Sequence, residues 1–192
     1  MARKQGKAPF LPEGEFNYVL SQQMGPNARR DRAILLVSYN MGLRSKELAA
    51  LRLGDVCTAR WEIRETWRLL RHMTKGDKFR EAFCAHEGTR AALTAYPASR
   101  GTRAPDRPLF LSQKGDHFSA NTMQRHIARL YAKAGVKCSS HSGRRSFATR
   151  LMEKNSDIYA IQRLMGHESI TTTQEYLYAS PERPKKVVRL LE

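Results

Sequence analysis

The sequence predicts a mainly helical fold with one small antiparallel β-sheet, that is, an α+β protein. Most of its segments repeat apolar residues at helical spacing, whereas strand-favouring aromatic and β-branched residues concentrate between residues 56 and 84. The 192 residues suffice for one domain with a substantial core, and a hydrophobic content of 41% is ordinary for a globular protein. Global disorder is therefore not expected.

Three helices are expected in the first third of the chain. Acidic residues after Leu11 suit a helix N-terminus, whose partial positive charge favours them. Apolar residues at helical spacing predict a second helix over residues 28–41, and Gly42 ends it. Ser45 then suits the N-cap of a third helix over residues 46–53.

Residues 56–84 predict the small sheet. The strand-favouring residues of this stretch are Trp61, Ile63, Trp67, Leu69 and Phe79. Residues 74–78, Thr-Lys-Gly-Asp-Lys, form the expected turn between two extended arms. Lys75 and Lys78 would then lie at or near the tip of this hairpin.

The second half of the chain is predicted to be almost wholly helical. A helix over residues 86–96 is followed by a basic amphipathic helix over residues 119–134, which ends at Gly135. Ser139 or Ser140 is expected to cap the next helix. The remaining helical segments cover residues 141–152, 157–165, 170–178 and 181–191.

The net charge of the chain indicates the kind of partner that it binds. The chain has 34 lysines and arginines against 18 aspartates and glutamates, a net charge of +16. Such an excess predicts a strongly anionic partner, with nucleic acid as the first candidate. A membrane surface is the second candidate, although no apolar run is long enough to span a bilayer and no signal peptide is visible. The basic arm over residues 1–10 is expected to be flexible.

The cysteine pattern indicates the redox compartment. Cys57, Cys84 and Cys138 are odd in number and widely spaced, which argues against a disulfide framework and against a zinc knuckle. We therefore expect packing residues in a reducing, cytoplasmic setting.

Two expected helix starts carry cations suited to binding an anion. His141 and Arg144 are three residues apart, so they share a face beside unpaired backbone N–H groups. The guanidinium of Arg144 can hold two phosphate oxygens, and His141 can hydrogen-bond one oxygen or move a proton. Arg44 follows a glycine break at another helix start, where Glu47 could orient it. Each of these residues, taken alone, could equally be an ordinary surface side chain.

Further side chains complete a set suited to a phosphodiester. The ammonium group of Lys75, at an expected mobile turn, can protonate a leaving oxygen when neighbouring cations lower its pKa. Lys78 competes for this role. A phenol ionises at about pH 10, so Tyr176 needs nearby cations to act as a nucleophile. Tyr178 would point about 200° away on a helix and is the weaker candidate. His167 can hydrogen-bond a phosphate oxygen, and no metal-ligand cluster accompanies the set.

The order and spacing of these motifs strongly resemble those of the tyrosine recombinases, also called phage-type integrases. The shared string is Gly42-Leu43-Arg44-(x2)-Glu47-Leu48, a Thr-Lys-Gly turn, His141-(x2)-Arg144, Leu164-Met165-Gly166-His167 and Thr172-Thr173-(x2)-Tyr176. The resemblance extends over about residues 11–180. All six active-site positions of that family have a matching residue here, in the same order.

The resemblance implies a fold and a reaction. The fold would be the tyrosine-recombinase catalytic domain, mostly helical with a small three-stranded sheet. Tyr176 would attack a phosphate of double-stranded DNA at a recombination site and form a 3′-phosphotyrosyl link. A 5′-hydroxyl of a partner strand would then attack the link, so neither metal, ATP nor another cofactor is required. The active assembly would be a homo-oligomer on DNA, a tetramer.

The resemblance also implies a role for each matching residue. Arg44 and Arg144 would hold the non-bridging oxygens and stabilise the charge of the transition state. Lys75 would protonate the departing 5′-oxygen. His141 would assist proton transfer, and His167 would help to position the phosphate.

Two departures from the family qualify this interpretation. Gly143 stands where the family usually has leucine or a similar apolar residue, which is expected to loosen the helix start. Most members have an N-terminal helical domain that clamps DNA, whereas the match here begins near Phe10. We therefore expect either an excised catalytic domain or a naturally short recombinase, and Met1 with the basic arm favours the latter. Without a clamp, affinity would depend on charge and fall steeply with salt.

The expected layout has three parts: the arm over residues 1–10, the catalytic domain over residues 11–180 and a C-terminal tail helix over residues 181–192. The tail has apolar residues and could pack on its own domain or dock on a neighbouring protomer.

Two other functions remain open. A type IB topoisomerase uses similar chemistry to relax supercoils, but the spacing from His167 to Tyr176 and the short chain favour a recombinase. A non-catalytic DNA-binding regulator would not need a phenol beside two arginines. Plasmid relaxases also use tyrosine, but they need a histidine metal cluster that this sequence lacks.

Overall fold

The computed structural model describes residues 8–74, 79–101, 103–154 and 156–174. Its helices and strands, in chain order, are α1 (Glu13–Ser21), α2 (Ala28–Met41), α3 (Ser45–Ala50), α4 (Leu53–Val56), β1 (Thr66–Leu69), β2 (Arg80–Phe83), α5 (Glu87–Ala98), α6 (Ala120–Lys133), α7 (Ser142–Glu153), α8 (Ile158–Met165) and α9 (Ile170–Gln174). The predicted mainly helical fold with a small antiparallel sheet is confirmed. Among the described residues, no helix is both long enough and apolar enough to cross a bilayer.

The sheet has two strands within the described residues, where the resemblance implied three. β1 and β2 are antiparallel, with Trp67 opposite Ala82 and both side chains buried. The prediction of strand structure at Trp61 is wrong, because this residue has a left-handed φ of 64°. It lies in a tight turn, in which its N–H donates to the carbonyl of Thr58 at 2.9 Å. Ile63 forms only an isolated bridge to Cys57.

The predicted end of the third helix needs correction. α3 stops at Ala50, because the backbone of residues 51–54 pairs with the segment 105–109 instead. The carbonyl of Leu51 accepts from the N–H of Leu109 at 2.8 Å. Residues 53–56 then form the separate short helix α4.

Both predicted serine N-caps are displaced. Arg44, not Ser45, precedes α3, and its backbone N–H donates to the carboxylate of Glu47. His141 occupies the N-cap of α7, because Ser139 is used in the preceding turn, where its hydroxyl accepts from the N–H of His141 at 3.3 Å. Two residues predicted to bind an anion are therefore fixed by backbone geometry at helix starts.

The main hydrophobic core lies around α2, which packs against α5 and α7. Phe16 of α1 stacks on Tyr39 of α2 with ring centroids 3.7 Å apart. A second, smaller cluster joins α7 to α8 through Met152, Ile161 and Met165, all buried. Packing of both faces of α7 fixes the start of this helix against the end of α8.

Gly143 allows α7 to approach α2 closely. A Cβ atom at this position would lie 2.6 Å from the hydroxyl of Ser38 and 3.2 Å from that of Tyr131. The expectation that this glycine loosens the helix start is therefore not met, since a larger side chain has no room there.

Candidate active site

The carboxylate of Glu47 lies at the centre of a group of arginines. It lies in the first turn of α3, is completely buried and accepts four hydrogen bonds from the described residues. Oε1 accepts from Nη1 of Arg44 at 3.0 Å and from Nε of Arg80 at 3.1 Å. Oε2 accepts from the backbone N–H of Arg44 and from Nη2 of Arg80, both at 2.7 Å. Each carboxylate oxygen is thus shared by two arginines.

The C-terminal end of α8 is held by three arginines. Its carbonyls are consecutive: that of Leu164 accepts from Nη1 of Arg80, and that of Met165 from Nη2 of Arg144. The carbonyl of Gly166 accepts from Nη2 of Arg44 at 2.9 Å. A helix C-terminus carries partial negative charge, so cations stabilise it.

Arg144 also joins α7 to the end of α2. Its Nη1 donates to the carbonyl of Gly42, which ends α2 in the left-handed conformation with a φ of 64°. The guanidinium therefore has carbonyl partners from two helix C-termini. It is almost fully buried, whereas the side chain of Arg44 is 23% exposed.

Charge balance keeps Glu47 ionised. Burial alone would raise the pKa of Glu47, but Arg80, Arg144 and the backbone N–H of Arg44 together hold that pKa below its ordinary value. Among the described residues of this group, three guanidiniums stand against one carboxylate, an excess of two positive charges.

Gly166 turns the chain from α8 into the site. It ends α8 with a φ of 57°, a conformation that glycine adopts without strain. A Cβ atom there would lie 2.6 Å from Cδ of Arg80. Both the backbone angle and the close approach require glycine, which explains the Gly166-His167 pair.

His167 is fixed by a hydroxyl from α9. Its Nδ1 lies 2.9 Å from the hydroxyl oxygen of Thr173, which is fully buried. Burial, with the charges of Arg144, Arg44 and Arg80, lowers the pKa of His167 to about 4. The imidazole is therefore neutral at pH 7. When the hydroxyl donates to Nδ1, Nε2 carries the proton and can donate to an anion.

The site also favours the neutral form of His141. Desolvation at the start of α7, together with the charges of Arg144 and Arg44, holds the pKa of His141 below its ordinary value. A neutral imidazole has one donor and one acceptor nitrogen. It can therefore take or give a proton beside the arginines.

The structure brings together five of the side chains selected from the sequence: Arg44, Glu47, His141, Arg144 and His167. Lys75 and Tyr176, like their competitors Lys78 and Tyr178 and the tail over residues 181–192, lie outside the described residues. The part of the chain that is described contains no group of three or more His, Cys, Asp or Glu residues suited to a metal ion.

Arg80 is the site residue that sequence reasoning missed, whereas Thr173 was named only as part of the Thr172-Thr173-(x2)-Tyr176 motif, without a role. The side chains of β2 alternate between buried and exposed, and Arg80 is on the buried side with Ala82. An inward-facing arginine in a short strand is unusual and indicates a buried anionic partner. The hydroxyl of Thr173 lies three residues before Tyr176 in sequence, and no periodicity would have singled it out.

This arrangement can bind a phosphate group. Two arginines and two neutral histidines approach one region at the ends of α2 and α8 and the starts of α3 and α7. Their excess positive charge suits the non-bridging oxygens of a phosphodiester.

Comparisons with known proteins agree with this chemistry. The sequence model described as "Phage integrase family" matches residues 10–183. "Tyrosine recombinase XerC" of Pelobacter propionicus is 38% identical over 160 residues, which is 82% of this chain and 50% of that protein. The chain spans about half the length of the curated relatives that it matches.

Solved structures have the same fold. The crystal structure of XerA recombinase superposes with a TM-score of 0.78 at 28% identity, covering 96% of this chain and 65% of that one. XerH site-specific recombinase, bound to its palindromic difH substrate after cleavage, gives a TM-score of 0.73 at 24% identity and covers 98% and 55% of the two chains.

Proposed function

The chain belongs to the phage integrase family, and on that premise we propose that it is a site-specific DNA recombinase that cuts and rejoins DNA through a 3′-phosphotyrosyl intermediate. Family membership confirms the resemblance drawn from the motifs. The activity, the substrate and the partners are inferred, because the chain covers about half of its relatives.

The observation that carries the proposal is the joint position of Arg44 and Arg144 on the end of α8. Both guanidiniums are held by carbonyls there, beside His167. A phosphate in this place would meet two fixed cations before any side chain had to reorganise. Neutral His167 would donate Nε2–H to a non-bridging oxygen, and His141 would assist proton transfer.

The roles of the remaining two side chains follow from their motifs. Tyr176 would attack the phosphorus, and the excess positive charge of the site would favour its phenolate. Lys75 would protonate the departing 5′-oxygen. The covalent link conserves the energy of the phosphodiester, so the reaction would proceed without metal or ATP.

A basic stripe on α6 would bind the DNA backbone. Arg125, Arg129 and Lys133 are exposed and four residues apart, so they lie along one face. Arg129 is oriented by His126, whose Nδ1 lies 2.9 Å from Nη2 of the arginine. His126 in turn bonds to Asp31 at 2.8 Å. These charges, within a chain of net charge +16, would give phosphate contacts away from the cleavage site.

The partner would be double-stranded DNA, with a homo-tetramer assembled on two recombination sites in the bacterial nucleoid or in a phage-infected cell. The layout would be the arm over residues 1–10, the catalytic domain over residues 11–180 and the tail over residues 181–192. The tail would pack on its own domain or dock on a neighbouring protomer. No observation favours a type IB topoisomerase or a non-catalytic regulator.

A suicide-substrate assay tests the proposal. The protein is mixed with a labelled pool of random-sequence duplexes, nicked so that the 5′-hydroxyl fragment diffuses away, in buffer with EDTA and no ATP. We expect a labelled protein band that survives SDS. It should disappear in Tyr176→Phe and persist in the matched variant Tyr178→Phe.

Other outcomes separate the alternatives. DNA binding without any adduct would contradict cleavage by this chain and favour the non-catalytic regulator. An adduct on a supercoiled plasmid with relaxation, but without joining of two sites, would favour the topoisomerase.

A further inference from the structure

We propose that Arg80 is a positioning residue for DNA cleavage, acting through Glu47 and through the C-terminal end of α8. By holding both partners, it keeps Arg44 and His167 turned toward one phosphate. This inference depends on the proposed function, because the phosphate is the substrate of that reaction.

The contacts of Arg80 use three separate nitrogens. Its Nε and Nη2 donate to the two oxygens of Glu47 at 3.1 and 2.7 Å, and its Nη1 donates to the carbonyl of Leu164. The side chain is only 5% exposed, so it lies beneath the site and not on the DNA-facing surface. Only a planar guanidinium can satisfy these directions together, because an ammonium acts as a single point charge.

Arg80 controls how Glu47 interacts with Arg44. The two oxygens of Glu47 each accept one hydrogen bond from each arginine. Without Arg80, the buried carboxylate would lose two of its hydrogen-bond donors, and Arg44 would be left as its side-chain donor, with Arg144 as a nearby charge. The guanidinium of Arg44 already donates to Glu47 through Nη1, and loss of the competing arginine would draw it into a two-point ion pair and away from a phosphate.

Arg80 also supports the turn that carries His167. Cδ of Arg80 packs against Gly166 so closely that a Cβ atom on the glycine would lie 2.6 Å away. The carbonyl of Leu164 is the first of three consecutive carbonyls that arginines hold at this helix end. Loss of Arg80 would remove one donor from the helix end and leave a cavity beneath the turn.

The electrostatics of the site provide a second measurement beside the cleavage rate. Arg80 is one of the charges that lower the pKa of His167. Its removal should therefore raise that pKa, which can be measured without DNA and without cleavage.

The experiment compares Arg80→Met, Arg80→Lys and the control Arg68→Met in the full chain. Arg68 is on β1, next to β2, and its side chain is exposed. Three quantities are measured: the single-turnover rate of adduct formation on the duplex selected by the wild-type protein, the affinity for that duplex, and the NMR titration of His167. Thermal unfolding of each variant shows whether it is folded at the assay temperature.

We expect Arg80→Met to form adduct about 100-fold more slowly than wild type, because the phosphate-binding groups are misplaced. Its affinity for DNA should stay within about twofold, since Arg80 makes no phosphate contact. The titration midpoint of His167 should rise. Arg80→Lys should recover part of the rate, and Arg68→Met should match wild type in all three measurements.

A wild-type cleavage rate in Arg80→Met would overturn the inference. An unchanged titration midpoint of His167 in Arg80→Met would also overturn the inference, even if the wild-type protein formed no adduct. Absence of an adduct in the wild-type protein would overturn the proposed function and, with it, the role of Arg80 in cleavage, whereas the histidine titration would show separately whether Arg80 acts on His167.

Discussion

Replacement of Glu47 by glutamine should strongly destabilise the fold. The change keeps the shape of the side chain but removes its charge and one acceptor oxygen. Each carboxylate oxygen accepts two donors, one from Arg44 and one from Arg80. Whichever way the new amide is turned, its NH₂ group faces two N–H donors in a fully buried position.

The expected loss follows from these contacts. Hydrogen bonds to charged groups contribute about 1.5–3 kcal/mol each, and two of the four would be replaced by donor–donor contacts. Loss of one partner of a buried ion pair costs about 3–5 kcal/mol in total. We therefore expect Glu47→Gln to lower the free energy of unfolding by about 3–5 kcal/mol, a large part of the stability of an ordinary domain.

Urea unfolding followed by circular dichroism measures this loss, with Glu81→Gln as the matched control. Glu81 is exposed on β2, so its replacement should change stability by less than about 0.5 kcal/mol. The folded-state pKa of Glu47 lies below its ordinary value of 4.5, so its stabilising effect is complete above that pH. The effect should shrink as the pH falls through the lower, folded-state value. A loss under about 1 kcal/mol at pH 7, or one that does not change in acid, would refute the reasoning.

Further predictions concern Gly143, Thr173 and His167. Gly143→Leu should lower the free energy of unfolding by about 3 kcal/mol or more, because its Cβ would already lie 2.6 Å from the hydroxyl of Ser38. The control Gly14→Ala, whose Cβ would lie in open space on α1, should be neutral or stabilising in the same thermal melts. A leucine variant as stable as the wild-type protein would disprove the close packing at Gly143. Thr173→Val should slow adduct formation about tenfold through loss of the hydrogen bond to Nδ1 of His167, whereas Thr173→Ser should keep the wild-type rate. Equal rates in the valine and serine variants would contradict this role of the hydroxyl. The pKa of His167 falls from 6.5 to about 4 on folding, so the unfolded state binds the proton first on acidification. The free energy of unfolding of the wild-type protein should therefore fall by up to about 3 kcal/mol relative to that of His167→Gln between about pH 6.5 and pH 4. A stability difference between the two proteins that does not change with pH would contradict the lowered pKa.

The sequence allowed the main helices and most of the candidate site to be predicted. Gly42 and Gly166 end α2 and α8 with positive φ, as glycine after an apolar helical stripe indicates. Arg44 and His141 were correctly assigned to helix starts, although each proved to be the capping residue itself. Local sequence rules work at these points because the backbone conformation depends on a few neighbouring residues.

Tertiary contacts explain what the sequence did not reveal. The end of α3 depends on pairing with residues 105–109, which are far away in sequence. The inward direction of Arg80 became clear only once the register of β1 and β2 was known. The fit of Gly143 depends on Ser38 of another helix, so comparison with the family pattern alone suggested a defect where the structure has a close contact.

Mass-spectrometric mapping of the DNA-linked residue tests the central claim most directly. After cleavage of a nicked duplex, the trapped protein is digested with nuclease and trypsin, and the peptide with the residual nucleotide is fragmented. We predict a phosphodiester to the phenolic oxygen of Tyr176, bearing the 3′-phosphate of the DNA. A nucleotide on Tyr178 or on any other residue, or cleaved DNA without a protein link, would contradict the account.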